Sequence, residues 1–343
     1  MKITLKDIAE QAGVSIATVS RVLNGQAEQY RLKKETVDAV LLTAQQLGFS
    51  PYKAVFTPPD SQSKVIGLVV PDISHHFLGQ LARSIRMEAE KSGYNLLVCD
   101  SNEDTDKEKE SIQLLLNSRV DGLIVLPVGK EYAHLQNIYN QGVNLVVVDR
   151  IFKDLNCPMV GVDNYTGAFE AIEMLIRNGH RRIACLQRLP HSWINNERLR
   201  AFRDVHQQYG IPIDESIIIG DTFGKKDGYL EAKLLFSGRY ELPTAIFAMS
   251  HLMVLGAMQV IREQGLNVPE DISIAGFDDI PYSQYFNSPL TTVKQPVEEM
   301  GMMALNLLLE QVAGAKRDNP VTIQLPTKLV FRNSVKAINR QEI

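Results

Sequence analysis

Two short apolar stripes with helical spacing open the chain. The apolar positions of the first stripe are Leu5, Ile8, Ala9 and Ala12, and those of the second are Val19, Val22 and Leu23. Intervals of three and four residues predict two short amphipathic helices with these positions facing inward. Gly13 can end the first helix because glycine adopts a left-handed conformation without a Cβ clash, and Ser15 can cap the second.

A pair of short helices joined by a tight turn containing glycine predicts a helix-turn-helix, whose second helix enters the DNA major groove. The residues left mostly outside on that helix are Ile16, Ala17, Thr18, Ser20 and Arg21. Geometry alone leaves an alternative open, because an ordinary pair of helices packed on a core has the same spacing.

A third amphipathic helix follows a polar loop. Its apolar positions are Val37, Val40, Leu41, Ala44 and Leu47, and Gly48 is its stop signal. Three small helices with one shared core predict a headpiece over residues 1–49. Residues 50–64 are interpreted as a linker, because the Pro58–Pro59 pair and the polar composition oppose a continuous helix.

From residue 65 onward, short β-branched runs alternate with helical segments. The predicted strands are Val65–Val70, Asn95–Cys99, Asp121–Leu126, Asn144–Val148, Ile183–Leu186, Ile217–Gly220, Ala245–Ala248, Ile272–Gly276 and 321–331. This alternation predicts parallel sheets with helices on both faces, and the number of strands fits two lobes better than one wide sheet. The predicted fold class is a small all-α domain followed by a two-lobed α/β domain over residues 65–343, with two doubly wound parallel sheets.

The composition is that of an ordinary globular protein, with 45% apolar and 22% charged residues. No apolar run approaches the ~20 residues that a membrane span needs, and the N-terminus lacks the hydrophobic region of a signal peptide. Three well-separated cysteines favour reduced thiols over disulfides or a metal site. We therefore expect a cytoplasmic protein with no membrane partner. The net charge of −4 does not indicate nucleic-acid binding, whereas the seven Lys/Arg against five Asp/Glu of residues 1–57 permit DNA binding without arguing for it.

The N-terminal stretch resembles the DNA-binding signature of the lactose-repressor (LacI) family of bacterial transcription regulators, through KDIA at residues 6–9 and AGVSIATVSRVLN at residues 12–24. The resemblance continues in register through residues 3–335. It implies a regulator, expected to be a repressor, that binds double-stranded operator DNA as a homodimer or a higher oligomer. It also implies a periplasmic-binding-protein-like clamshell, with residues 65–160 and 292–330 in one lobe and 161–291 in the other.

The resemblance places DNA contacts on the headpiece, and Phe56 of the linker joins the predicted set as a candidate minor-groove wedge. The predicted DNA-binding residues are Thr4, Ser15, Ile16, Ala17, Thr18, Arg21, Asn24 and Phe56. We expect Arg21 to read a base directly, with Ile16 and Ala17 fitting the groove and its thymine methyl groups. Ser15, Thr18 and Asn24 are expected to hold phosphates.

The linker departs from the family pattern. In the family, a hinge helix forms here on the operator and wedges a leucine into the minor groove, whereas Pro58 stands at that position in this chain. Phe56 or a proline is expected to wedge a base step instead.

Ligands of open parallel sheets bind beyond the carboxyl ends of the strands, so the loops that follow the strands form the candidate effector site. The predicted effector-binding residues, in register with the family, are His75, Phe77, Asp149, Arg150, Arg198, Phe223, Ser250 and Asp278. Carboxylates accept hydrogen bonds from sugar hydroxyls and guanidinium groups donate two in a fixed plane, which favours a sugar or sugar derivative. No cofactor or metal is expected, because the adjacent His75 and His76 lack a supporting carboxylate cluster in their loop.

For several residues near this site, more than one role is consistent with the sequence. Asp72 is expected to organise its loop, and Asp278 is preferred on the ligand over Asp279, although either can cap the following helix. Trp193 either stacks on a ligand or anchors its loop. Ser250 stands where family members commonly carry asparagine, and its shorter reach indicates an effector of different size or orientation.

Two rival functions share the lobed domain. A transport-type sugar-binding protein would need export, and the missing signal sequence and the headpiece argue against it. An enzyme acting on sugars in the cleft would need an activated nucleophile, water or metal. The sequence contains no GxxxxGK[ST], GxSxG, HExxH or CxxC motif, so we predict that the protein is not an enzyme.

Overall fold

Three short helices form the N-terminal headpiece: α1 (Leu5–Ala12), α2 (Ile16–Leu23) and α3 (Lys34–Gln46). The computed structural model describes residues 4–338 apart from 24–26, 28–29, 48–61, 191, 222–224 and 316–319. Helix α1 begins at a capping box between Thr4 and Asp7 and ends at Gly13, whose φ of 65° is left-handed. The Ser15 hydroxyl accepts a hydrogen bond from the Thr18 amide at 3.1 Å, which confirms the predicted cap of α2.

A small apolar core holds the three helices together. Its buried members are Ile8, Ala9, Val19, Val22, Val40 and Ala44. The stripe predicted for α3 is wrong at one position, because Leu41 is 48% exposed. The inward face of α3 passes through Val37, Val40 and Ala44, and Leu41 lies one residue, or roughly 100°, around the helix from Val40.

Strands and helices alternate from residue 65, as predicted. The strands are β1 (Val65–Val70), β2 (Asn95–Asp100), β3 (Gly122–Val125), β4 (Leu145–Val148), β5 (Met159–Val162), β6 (Ile183–Leu186), β7 (Ile218–Ile219), β8 (Ala245–Ala248), β9 (Ser273–Phe277), β10 (Thr291–Lys294), β11 (Thr322–Leu325) and β12 (Lys328–Val330). The helices are α4 (His76–Lys91), α5 (Thr105–Asn117), α6 (Ala133–Asn140), α7 (Asn164–Arg177), α8 (Trp193–Gln208), α9 (Lys225–Leu235), α10 (His251–Glu263) and α11 (Val297–Val312).

The strands form two six-stranded sheets, each with helices on both faces. The first sheet has the order β11-β5-β4-β3-β1-β2 and is parallel throughout. The second has the order β12-β10-β9-β8-β6-β7, and only β12 is antiparallel to its neighbour. We call the parts of the chain built on these sheets the first lobe and the second lobe.

The chain passes between the lobes three times, which corrects the predicted boundaries. It first passes from β5 to α7, as predicted near residue 160. Strand β10 then joins the second sheet, α11 packs on the core of the first lobe, and β11 completes the first sheet. The predicted strand 321–331 is two strands, because Pro326 lacks the amide hydrogen that a continuous ladder needs, and β12 returns to the second sheet. Residues 291–294 and 328–330 therefore belong to the second lobe.

Apolar side chains cover both faces of each sheet. Clusters centred on Leu81 and Leu115 lie on the two faces of the first sheet, and clusters centred on Phe202 and Val260 lie on the two faces of the second. In the part of the chain that the structure describes, no helix has the length and apolar character required to span a bilayer.

Candidate functional site: an exposed helix and a charged cleft between two lobes

The first turn of α2 presents a small exposed surface. Ser15 and Ala17 are exposed, and Ile16 is 49% exposed although it is apolar. Single exposed apolar side chains are common on protein surfaces, so this exposure shows only that Ile16 is accessible to a partner. The Ser15 and Thr18 hydroxyls lie 2.9 Å apart, so capping and any phosphate contact involve the same two groups.

Arg21 and Thr4 have contacts of their own within the headpiece. The Arg21 guanidinium lies 4.0 Å from the ring centroid of Tyr30, a cation–π contact that holds it beside the helix. Thr4 is exposed, and its hydroxyl donates to Asp7 at 2.7 Å in the capping box. The predicted DNA contacts Asn24 and Phe56 lie outside the described residues. The role of every predicted DNA-binding residue stays a prediction.

Two aspartates occupy equivalent strained positions in the two lobes. Asp149 directly follows β4 and Asp278 directly follows β9, and each has a φ of 74°. A residue with a Cβ in this left-handed region costs roughly 1–2 kcal/mol relative to ordinary backbone, and such strain concentrates at functional sites. Both carboxyl groups therefore lie at the carboxyl ends of central strands, where the parallel-sheet rule predicts ligand binding.

Arg198 is buried beside Asp278. It is 1% exposed, its Nε donates to Asn164 Oδ1 at 2.9 Å, and its guanidinium lies 3.4 Å from the ring centroid of Phe277. A further nitrogen donates to the Met249 carbonyl. Burial lowers the pKa of Arg198 to about 9, which still leaves the guanidinium charged at neutral pH. The Arg198 guanidinium, predicted to bind the effector, therefore makes most of its contacts within the second lobe.

Arg188 was not predicted, although the rule that found the other residues would have found it. It follows β6 by two residues, at the same sheet edge as Asp278. Burial raises the pKa of Asp149, while the positive charges of Arg188, Arg150 and Arg198 act in the opposite direction. Burial likewise lowers the pKa of Arg188, against the opposing effect of Asp278 and Asp149. The structure therefore brings charged groups of both lobes within electrostatic reach of one another.

Asp278 is a deeply buried carboxylate of the cleft. It is 4% exposed, and Gln295 Nε2 donates to its Oδ1 at 2.6 Å, a contact that sequence reasoning missed because β10 was not predicted. Burial alone would raise the pKa of Asp278, but His251, Arg198 and His75 outweigh it and hold that pKa well below its usual range. The His251 ring lies 4.6 Å from the His75 ring across the gap between the lobes.

Three other predicted residues have contacts inside the protein. Arg150 donates to the Gly129 carbonyl at 3.3 Å and lies 3.6 Å from Glu103. Phe77 packs in the first-lobe core and also lines a cavity of about 240 Å³ beside His251 and Asp278. Ser250 is fully buried, and its hydroxyl caps α10 by accepting from the Met253 amide at 3.4 Å. An effector contact of Ser250 stays a prediction.

Two expectations about structural residues are confirmed. Asp279 accepts hydrogen bonds from Thr292 at 2.7 Å and from both terminal nitrogens of Arg332 at 2.8 and 3.0 Å. Asp72 organises its own loop by accepting from the amide and the hydroxyl of Ser74. Asp279 is therefore structural, as preferred. The predicted stacking residue Phe223 lies outside the described residues.

Trp193 makes a contact between the lobes. It begins α8 of the second lobe and packs, partly buried, against the first-lobe cluster that contains Ile151 and Phe152. Both alternatives considered for it placed it near the cleft, and the structure supports the anchoring role.

Comparison with known proteins identifies the family. The model of the lacI family of bacterial regulatory proteins matches residues 4–52, and that of the periplasmic binding protein-like domain matches residues 172–335. The chain is 34% identical over 343 residues to the HTH-type transcriptional regulator DegA of Bacillus subtilis (strain 168), spanning 99% of this chain and 100% of DegA. This chain belongs to the lacI family.

Solved structures show that the lacI-family fold extends over nearly the whole chain. The complex of transcriptional regulator CelR with cellobiose has a TM-score of 0.74 and 27% identity, covering 97% of this chain and 100% of CelR. The lac repressor dimer bound to operator and the anti-inducer ONPF has a TM-score of 0.71 and 26% identity, covering 98% and 100%. The predicted family and fold class are confirmed.

Proposed function

We propose that this lacI-family protein is a DNA-binding transcriptional repressor whose operator affinity is controlled by a sugar or sugar derivative bound between the two lobes. The observation that carries the proposal is the joining, in one chain, of an exposed helix-turn-helix surface to a charged cleft at the carboxyl ends of two sheets. The CelR–cellobiose complex and the operator-bound lac repressor support the two halves of this proposal.

The charges of the cleft favour a neutral polyhydroxylated ligand. Three guanidinium groups lie within electrostatic reach of three carboxyl groups, and the six residues are Arg150, Arg188, Arg198, Glu103, Asp149 and Asp278. Because the three positive and three negative groups offset one another, a ligand that binds among them needs no net charge, and a neutral sugar meets this condition. Its hydroxyls can donate to the carboxylates and accept from the guanidinium groups, which replaces hydration lost on burial.

The mechanism follows from the position of the ligand between two lobes. A sugar that contacts both Asp149 and Asp278 binds the closed arrangement better than an open one, because only closure brings both carboxyl groups to it. Since the chain passes between the lobes three times, closure also moves the segments that join them. The effector thereby changes the relative position of two headpieces in a homodimer and the fit to two operator half-sites.

Two further properties concern enzymatic activity and cellular location. We propose that the cleft binds its sugar without converting it, and that the protein acts in the cytoplasm, where operator DNA is present. Incubation with each candidate sugar, followed by product analysis, tests the first point. Light scattering at several concentrations tests the homodimer.

The DNA-binding half is tested by selecting binding sites for the full-length protein from a random pool of duplexes. The expected result is a pseudo-palindromic consensus, because a two-fold symmetric dimer reads two equivalent half-sites. The variant Ile16→Asp is the control, since a carboxylate on the exposed face of α2 repels phosphates without touching the headpiece core. Failure of the wild-type protein to enrich any sequence would contradict the proposed function.

A further inference from the structure

A compact group of metal-ligating side chains lies between the lobes, and the proposed function does not use it as a metal site. His75 lies in the loop after β1 of the first lobe, while His251 begins α10 and Asp278 follows β9 in the second. One ligand atom from each residue lies within 4.8 Å of the other two, and each residue is 4% exposed. The carboxylate that the His75 loop lacks in sequence is supplied by a residue about 200 positions away in the chain.

We propose that His75, His251 and Asp278 form a binding site for a divalent transition metal ion of the zinc type that links the two lobes. Two imidazole nitrogens and one carboxylate oxygen are a ligand set that such ions accept, with the fourth position left for water. Metal–ligand bonds of about 2.0–2.2 Å hold ligand atoms roughly 3.3 Å apart in a tetrahedron. Small side-chain rotations would bring the three groups to that separation.

The groups around the cluster support this assignment. Gln295 Nε2 holds Oδ1 of Asp278 at 2.6 Å, which orients the carboxylate and leaves Oδ2 toward His251, as partners of metal ligands commonly do. His251 Nδ1 lies 3.6 Å from that Oδ2. Among the described residues this buried nitrogen has no hydrogen-bond partner. A buried polar atom without a partner destabilises the fold unless something satisfies it.

The protonation of the cluster also suits a cation. Burial lowers the pKa of His75 to about 4, so its ring is neutral and keeps a lone pair at physiological pH. The pKa of Asp278 lies well below its usual range, so its carboxylate is charged. The thiols that could compete for the ion are disfavoured, because burial raises the pKa of Cys157 to about 12 and raises that of Cys99.

A bound metal ion at this site would connect the two lobes. Because ligands come from both lobes, a bound ion ties His75 of the first lobe to His251 and Asp278 of the second and favours the closed arrangement. Trp193 is the single tryptophan of the chain and packs from the second lobe against the first, so its fluorescence reports on this contact. Metal binding itself does not depend on the proposed regulatory function, so the two can fail separately.

The test uses the full-length protein, freed of metal by a chelator that is then removed. Co²⁺ is titrated while its visible absorption is followed, since bound tetrahedral Co²⁺ absorbs strongly, and Zn²⁺ is titrated while Trp193 emission is followed. We expect one Co²⁺ per chain and a saturable change in emission. The variants His75→Gln and His251→Gln should each weaken Co²⁺ binding by about 10- to 100-fold or more.

The matched control is His76→Gln, which changes the neighbouring histidine of the same loop and should keep the wild-type affinity. Circular dichroism confirms that each variant is folded before titration, and any variant that is not folded is replaced by the corresponding alanine variant. Absence of Co²⁺ binding to the wild type would overturn the proposal, and so would equal affinity in the wild type and both His75 and His251 variants. Binding that leaves Trp193 emission unchanged would overturn the link between the lobes.

Discussion

Adjacent aspartates in the second lobe are predicted to respond differently to the same conservative substitution. Asp278→Asn should impair the response to sugar, whereas Asp279→Asn should impair stability and leave the sugar response intact. The two side chains follow the same strand, so the pair is internally controlled for position and chemistry. Both line the same cavity, but they differ in their hydrogen bonds: Asp278 accepts from Gln295, whereas Asp279 accepts from Arg332, Thr292 and Ser283.

The loss of stability expected in Asp279→Asn follows from the hydrogen bonds that the Asp279 carboxylate accepts. Its carboxylate accepts from both terminal nitrogens of Arg332 and from two hydroxyls, and the two charged side chains are only 13% and 18% exposed. An asparagine keeps one acceptor oxygen but places an NH₂ group against a guanidinium donor. Breaking a largely buried ion pair of this kind costs about 3–5 kcal/mol, so we expect Asp279→Asn to lower the free energy of unfolding by that order.

In Asp278→Asn, the quantity expected to change is the affinity for the sugar. Hydrogen bonds from sugar hydroxyls to a charged carboxylate contribute about 1.5–3 kcal/mol each, so replacing the carboxylate should weaken sugar binding about 10- to 150-fold. Urea unfolding measures the stability of both variants, and calorimetric titration with the sugar that acts on the wild type measures affinity. A loss of sugar affinity in Asp279→Asn equal to that in Asp278→Asn, with both proteins folded, would refute the assignment of separate roles.

Three further predictions concern other parts of the molecule. Arg21→Ala should cost about 1–3 kcal/mol of operator binding and relax preference at one base pair, measured on a set of single-base operator variants; an unchanged preference would remove Arg21 as a reader. Phe56→Ala should weaken specific operator binding much more than non-specific binding, and equal losses on both DNAs would exclude a wedge. His180 is fully buried, with its pKa lowered to about 4 by burial, so the unfolded state takes up its proton first as pH falls and stability is lost between about pH 6.5 and 4. His180→Gln should remove about 2 kcal/mol of the wild-type stability difference between pH 7 and pH 5, and an identical pH dependence in urea unfolding would contradict this.

Much of the fold could be predicted because strand signals in this chain are strong. Val65–Val70, Ile183–Leu186 and Ala245–Ala248 are predicted with their observed bounds, since each is an apolar run fully inside a sheet. The strands Met159–Val162 and Thr291–Lys294 were missed, and the second is rich in threonine rather than in apolar residues. Passage of the chain between lobes is a long-range feature that local periodicity does not report.

The candidate site was predictable where a residue directly follows a strand. That rule located Asp149 and Asp278, and it would have located Arg188. Gln295 was out of reach because it follows the unpredicted strand β10. The pairing of His75 with His251 depends on how two lobes meet, which no pattern within either segment encodes.

A single titration can show whether a sugar in the cleft controls operator binding. A fluorescent duplex carrying the selected operator is bound by the full-length protein, and anisotropy is followed while a panel of neutral and acidic sugars is added. We expect one neutral sugar to change operator affinity by about 5- to 150-fold, with a weaker effect in Asp278→Asn and an unchanged effect in Asp279→Asn. Operator affinity that no sugar alters would show that the cleft does not control DNA binding through a sugar.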